Sequence, residues 1–117
     1  MEFREFTRID YRGCASISMG DEIIFGNLKN ISLQGMFLEM DYDVPVRSEV
    51  AVKLFDRDAE SIMAKGCVVR CDKTGIGIQI QGLDAGSFSR LKTLITDRAD
   101  DLDKIMNESS KVSAYVH

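Results

Sequence analysis

The sequence predicts a mostly β protein: a six-stranded antiparallel β-barrel or closed sandwich followed by a C-terminal α-helix. Three features predict it. Runs over residues 13–83 alternate apolar and polar side chains, hairpin-length connections join them, and beyond Asp84 the apolar period lengthens to that of a helix. At 117 residues the chain is the size of one domain and long enough to bury a core. Its 44% hydrophobic and 29% charged residues, with one proline, describe a globular protein, not a disordered or fibrous one.

Residues 1–12 mix charge with Phe3, Phe6, Ile9 and Tyr11 and keep no period, so they read as a loose, extended arm entering the sheet. Residues 13–18 form the first strand, Gly20 and Asp21 a two-residue turn, and 22–29 the return strand. Asn30-Ile31-Ser32-Leu33-Gln34-Gly35 reads as a turn. The short polar side chains of Asn30 and Ser32 can bond nearby backbone, and Gly35 permits positive φ or a close backbone approach. Residues 36–40 resume a strand, with Met36, Leu38 and Met40 on one face, and 41–48, around Pro45, form a loop.

Val50, Val52 and Leu54 alternate with Ala51, Lys53 and Phe55, and 56–60 supply a charged connection. Residues 61–71 form a long strand bent at Gly66, where a missing side chain suits a bulge or a barrel corner. After a turn at 72–75, Ile76, Ile78 and Ile80 alternate with Gly77, Gln79 and Gln81. Six short strands with such links favour an antiparallel barrel or closed sandwich over a parallel sheet. From Asp84, a plausible N-cap, the stripe Phe88, Leu91, Leu94, Ile95, Leu102, Ile105 and Met106 predicts a helix or bent helical pair over 84–107 that covers the barrel, with 108–117 as a tail. Where that helix outruns the barrel toward Met106, its end is a candidate homodimer or partner surface.

Several function classes are disfavoured. A net charge of −4 argues against a general nucleic-acid coat, although a local basic patch for a small dianion remains compatible with it. An OB-like binder of single strands needs stacking aromatics on a basic face, and Phe25, Phe37 and Phe55 show no such setting in the sequence. No apolar run approaches the roughly 18 residues of a membrane span, which predicts a cytoplasmic protein. Cys14, Cys67 and Cys71 form an odd set and are expected as reduced, packing thiols. Cys67 and Cys71 would stand about 13 Å apart along a strand, too far to bridge or share a metal. The sole histidine, His117, is the last residue, and no acid, base and nucleophile set assembles, so no enzyme, metal site or cofactor is predicted.

The chemistry-bearing residues lie in two places. Arg4 and Arg8 stand four apart, and guanidinium forks suit both guanine edges and phosphates. Asn30 and Ser32 add an amide and a hydroxyl that donate or accept as needed. In order and separation, Arg4-Glu5-Phe6-Thr7-Arg8 followed by Asn30-Ile31-Ser32-Leu33-Gln34-Gly35 resembles the paired RxxxR and (D/N)xSxxG signature of the PilZ domain. Gly66-Cys67-Val68-Val69-Arg70 and Gly75-Ile76-Gly77-Ile78-Gln79-Ile80 resemble its later strands, read as fold signatures without ligand chemistry. Arg8 and Arg12 are also four apart, but the family pattern runs straight into a strand entry such as Ile9-Asp10-Tyr11, which favours Arg4 and Arg8.

The resemblance implies a split barrel and a receptor for the bacterial second messenger cyclic di-GMP, held by Arg4, Arg8, Asn30, Ser32 and Gly35. Phe3 stands where relatives that hold a stacked ligand pair carry another arginine, which implies one bound copy. Ligand would order the arm, and the new surface would signal to a downstream protein in motility, adhesion or exopolysaccharide control. The competing implication is a ligand-blind adaptor of the same fold that works through protein contacts alone.

Overall fold

The computed structural model describes residues 6–55 and 61–112. Among them six strands and two helices follow in order: β1 (Ile9–Met19), β2 (Glu22–Ile31), β3 (Gly35–Glu39), β4 (Glu49–Phe55), β5 (Ile62–Asp72), β6 (Gly75–Leu83), α1 (Ala85–Arg98) and α2 (Leu102–Val112). The strands pair antiparallel in the order β1-β2-β3-β6-β5-β4, and β4 returns to β1, so the barrel is closed and no edge is left open. Ala15, Ile17, Leu28, Leu38, Val52, Leu54, Val68, Ile76 and Ile78 point inward and are buried. The predicted alternation of β4 and β6 is therefore the barrel's inside and outside.

Of the four register shifts that break that alternation among the described residues, one lies between Asp10 and Gly13 of β1, and three more bear on the site and its frame. The first of these three is the bend expected at Gly66, where the β5–β6 register shifts between Lys65 and Gly66. A Cβ at Gly66 would lie 2.5 Å from Ile78 Cγ2 and 3.0 Å from the Gln79 carbonyl oxygen, so only glycine lets the strands close there. The other two are not legible in the sequence. Leu28 pairs with Leu38 and Asn30 with Phe37, leaving Lys29 as an extra residue; Val68 pairs with Ile78 and Arg70 with Gly77, leaving Val69 extra. Strict alternation would send Asn30 inward with Leu28, and Arg70 inward with Val68; each bulge turns its residue to the outer face.

The boundaries differ from expectation for identifiable reasons. β1 begins at Ile9 instead of Gly13, because Phe6 and Ile9, 4% and 6% exposed, are core residues hidden in a charged arm. The arm from Phe6 onward is thus docked, not loose. β2 runs on through Asn30 to Ile31, so Asn30 belongs to a strand and not to the turn. The connection 56–60 lies outside the described residues.

The helical period resolves into a pair. Asp84 caps α1, its carboxylate accepting from Ser87 N–H at 2.7 Å, as the sequence predicts. That bond, the largest cause, holds the Asp84 carboxyl below its usual value. Ser87 Oγ accepts from Met63 N–H at 3.0 Å, Arg90 donates to the Ser61 carbonyl at 3.2 Å, and Arg98 lies over the Tyr11 ring, 4.6 Å from its centroid, so α1 is pinned to the barrel along its length. Leu91 and Ile95 of α1 and Ile105 of α2 are fully buried, whereas Leu102 and Met106 are exposed. α2 extends through residues expected as tail, because the positions it buries there are polar: Glu108 and Ser109. A search for an apolar stripe cannot find them.

Candidate functional site

Arg8 stands just before β1, between the buried Phe6 and Ile9, and its Nη1 donates to Asn30 Oδ1 at 2.5 Å. Partial burial lowers the Arg8 pKa from its ordinary value, yet an arginine stays charged at any working pH. Asn30 reaches this position through the Lys29 bulge. From Asn30 a lateral row crosses four strands in register: Asn30 on β2, Phe37 on β3, Gly77 on β6 and Arg70 on β5.

Gly77 gives the row its shape. With no side chain between them, the Arg70 guanidinium lies over the Phe37 ring, 4.9 Å from its centroid. A Cβ at Gly77 would crowd Arg70 Cβ at 3.3 Å. Arg70 Nε donates to Asp72 at 2.7 Å, and Asp72 also accepts from the Thr74 N–H at 2.8 Å and the Thr74 hydroxyl at 2.5 Å. The Thr74 bonds first, and then Arg70, hold the Asp72 carboxyl well below the usual carboxylate range. The result is a cleft of about 730 Å³ lined at one end by Arg8, Lys29 and Asn30 and at the other by Phe37, Arg70 and Thr74. That volume falls within the range of small-molecule sites. Three cations and an aromatic ring around a polar and apolar floor fit a planar base joined to phosphate.

The other residues expected at the site are placed differently. Ser32 is fully buried, and its hydroxyl accepts from Gln34 N–H at 3.2 Å and Gly35 N–H at 3.1 Å while lying 3.3 Å from the Gly35 carbonyl as donor. Gly35 is buried at the start of β3, its carbonyl accepting from Ser32 N–H at 2.8 Å. Its φ is not positive; among the described residues the glycines with positive φ are Gly20 and Gly75. The two close the β2–β3 loop, and Leu33 between them is a fully buried plug. Arg12 pairs with Glu39 at 2.5 Å and does not line the cleft. Arg4 lies outside the described residues, as do Glu2, Phe3, Glu5 and His117.

Lys29, Phe37, Arg70 and Thr74 were not singled out by the motif. Arg70 sits in a stretch that reads as fold texture, and Phe37 lacks a basic setting in the sequence because Arg70 reaches it only through strand register. The signal that finds them is pairing: β3 against β6 and β6 against β5.

A profile of the PilZ domain matches residues 2–97. The chain belongs to the PilZ domain family. No curated protein matches it. Solved structures share the fold. The PilZ domain of YcgR from Escherichia coli, solved with c-di-GMP, is 12% identical with a TM-score of 0.67, over 95% of this chain and 99% of that one. The PilZ domain of CeSA from a cellulose-synthesizing bacterium is 14% identical with a TM-score of 0.66, over 78% and 96%. The inhibitor of motility MotI/DgrA from Bacillus subtilis is 15% identical with a TM-score of 0.68 over 83% of this chain, which spans 51% of that protein. At such identities the likeness is one of fold. The closed six-stranded barrel is the PilZ barrel, with two helices where the sequence predicts a helix or a bent pair. Among the described residues no helix is long and apolar enough to cross a membrane, and the cysteines are free thiols.

Proposed function

We propose that this PilZ domain is a non-catalytic receptor for cyclic di-GMP that binds it in the cleft between Arg8–Asn30 and Arg70–Phe37. The observation that carries the reading is the Arg8–Asn30 hydrogen bond at one end of a cleft whose other end is a guanidinium stacked on an aromatic ring. Arg8 meets a phosphate or a guanine edge, Asn30 supplies a matched donor and acceptor, and the Arg70 plane carries a base. Arg4 joins from the segment before Phe6. Ser32 and Gly35 act by holding the loop that fixes Asn30, and one copy of the ligand is bound.

Family membership and the likeness to a domain solved with c-di-GMP support the ligand. Two structural relatives, an inhibitor of motility and a domain from a cellulose-synthesizing bacterium, support a regulatory output in motility or exopolysaccharide control through a downstream protein in the cytosol. Because Phe6 to Ile9 are docked, the signal needs a route other than ordering of that part of the arm. Calorimetric titration with cyclic di-GMP, with GMP as control, tests the reading. Saturable binding that also raises unfolding free energy by about 2.7 kcal/mol at a hundredfold excess over Kd is the expected result. A flat titration would favour the adaptor that acts through protein contacts alone.

A further inference from the structure

Thr7, the residue before Arg8, is gripped by a side chain from the far end of the chain. Its backbone N–H donates to Glu108 Oε1 at 2.8 Å and its hydroxyl to Glu108 Oε2 at 2.7 Å. Glu108 is 2% exposed, on α2 next to the buried Ser109 and one turn from the fully buried Ile105. A buried carboxylate is costly unless its oxygens are met by donors, and here Thr7 meets both.

We propose that Glu108 is a positioning residue for the cleft: by holding both donors of Thr7 it fixes the backbone that aims Arg8 at Asn30, and α2 thereby senses whether the cleft is filled. The inference rests on the cyclic di-GMP reading above for its ligand, and adds the route by which occupancy leaves the site. Phe6 and Ile9 anchor the arm in the core on either side, and the Glu108 grip adds two hydrogen bonds at the residue directly before Arg8. Coupling between two such sites is reciprocal: if the grip favours the binding position of Arg8, then ligand holding Arg8 favours the grip and with it the docking of α2. Glu108 touches no ligand; it acts through Thr7 and Arg8.

Thr7→Val and Thr7→Ser separate this role from general packing, since valine keeps the shape and loses the hydroxyl while serine keeps both donors. Thr7→Val should weaken cyclic di-GMP binding about tenfold, and Thr7→Ser should recover it. A crystal structure of Thr7→Val should show Arg8 displaced from Asn30. In the wild-type protein, saturating cyclic di-GMP should slow amide exchange along α2, and Thr7→Val should abolish that slowing. Unchanged affinity in Thr7→Val, or α2 exchange indifferent to ligand, overturns the proposal. If the wild type itself fails to bind cyclic di-GMP, the ligand reading falls, and the Thr7→Val structure alone decides the positioning role: Arg8 displaced sustains it, and Arg8 still on Asn30 overturns it.

Discussion

Asn30 lies on the outer face of the barrel against Arg8, whereas Ser32, in the loop that follows, is fully buried with its hydroxyl engaged by its own backbone. Both belong to one short signature, and both are small polar residues suited to a ligand. The difference comes from the Lys29 bulge, which turns Asn30 outward, and from the loop geometry, which turns Ser32 in. A motif can thus contain cleft-lining and fold-making positions side by side. The two regions should be separable by experiment, one governing affinity and the other stability.

The largest effect should come from the fold-making half. Leu33→Ala empties a fully buried plug between Ser32 and Gly35 and should cost about 3 kcal/mol in urea unfolding. The protein that remains folded should bind cyclic di-GMP nearly as well as before. Arg8→Ala should do the reverse, weakening calorimetric affinity about a hundredfold through loss of charge-assisted bonds, with little change in unfolding. Arg70→Ala removes the plane stacked on Phe37 and should weaken binding about tenfold, while Arg70→Lys, which keeps charge but no plane, should resemble Arg70→Ala.

The smallest effect concerns pH. Asp72 is held below the ordinary carboxylate value by Thr74 and then Arg70, so its folded pKa lies under its unfolded one, near 4. Its support for the Arg70 end of the cleft is in full force above about pH 4 and is lost only as pH falls through the folded value. Affinity should therefore be flat between about pH 5 and pH 8 at constant salt. A marked fall in that window would mean that another titrating group governs the cleft.

Most of the barrel was legible in the sequence because its signals are local. Alternation at Val50–Val52–Leu54 and Ile76–Ile78–Ile80, the Gly20–Asp21 turn, the bend at Gly66 and the Asp84 cap each depend on a few neighbouring residues. The cleft was only half legible. Arg8 and Asn30 came from the motif, but Phe37, Gly77 and Arg70 meet only through strand register, and two bulges that no period reveals bring Asn30 and Arg70 to the surface. Glu108 was invisible for another reason: a buried glutamate looks like a solvated one until its partner, Thr7, is placed beside it.

In the proposed complex, ligand sits on the outer row from Asn30 to Arg70, with Arg8 above it. Backbone amide NMR of the isotopically labelled protein during titration with cyclic di-GMP tests it most directly. The account predicts saturable shifts concentrated at Arg8, Asn30, Phe37, Gly77 and Arg70. Shifts confined to another face of the barrel, or none at all, would contradict it.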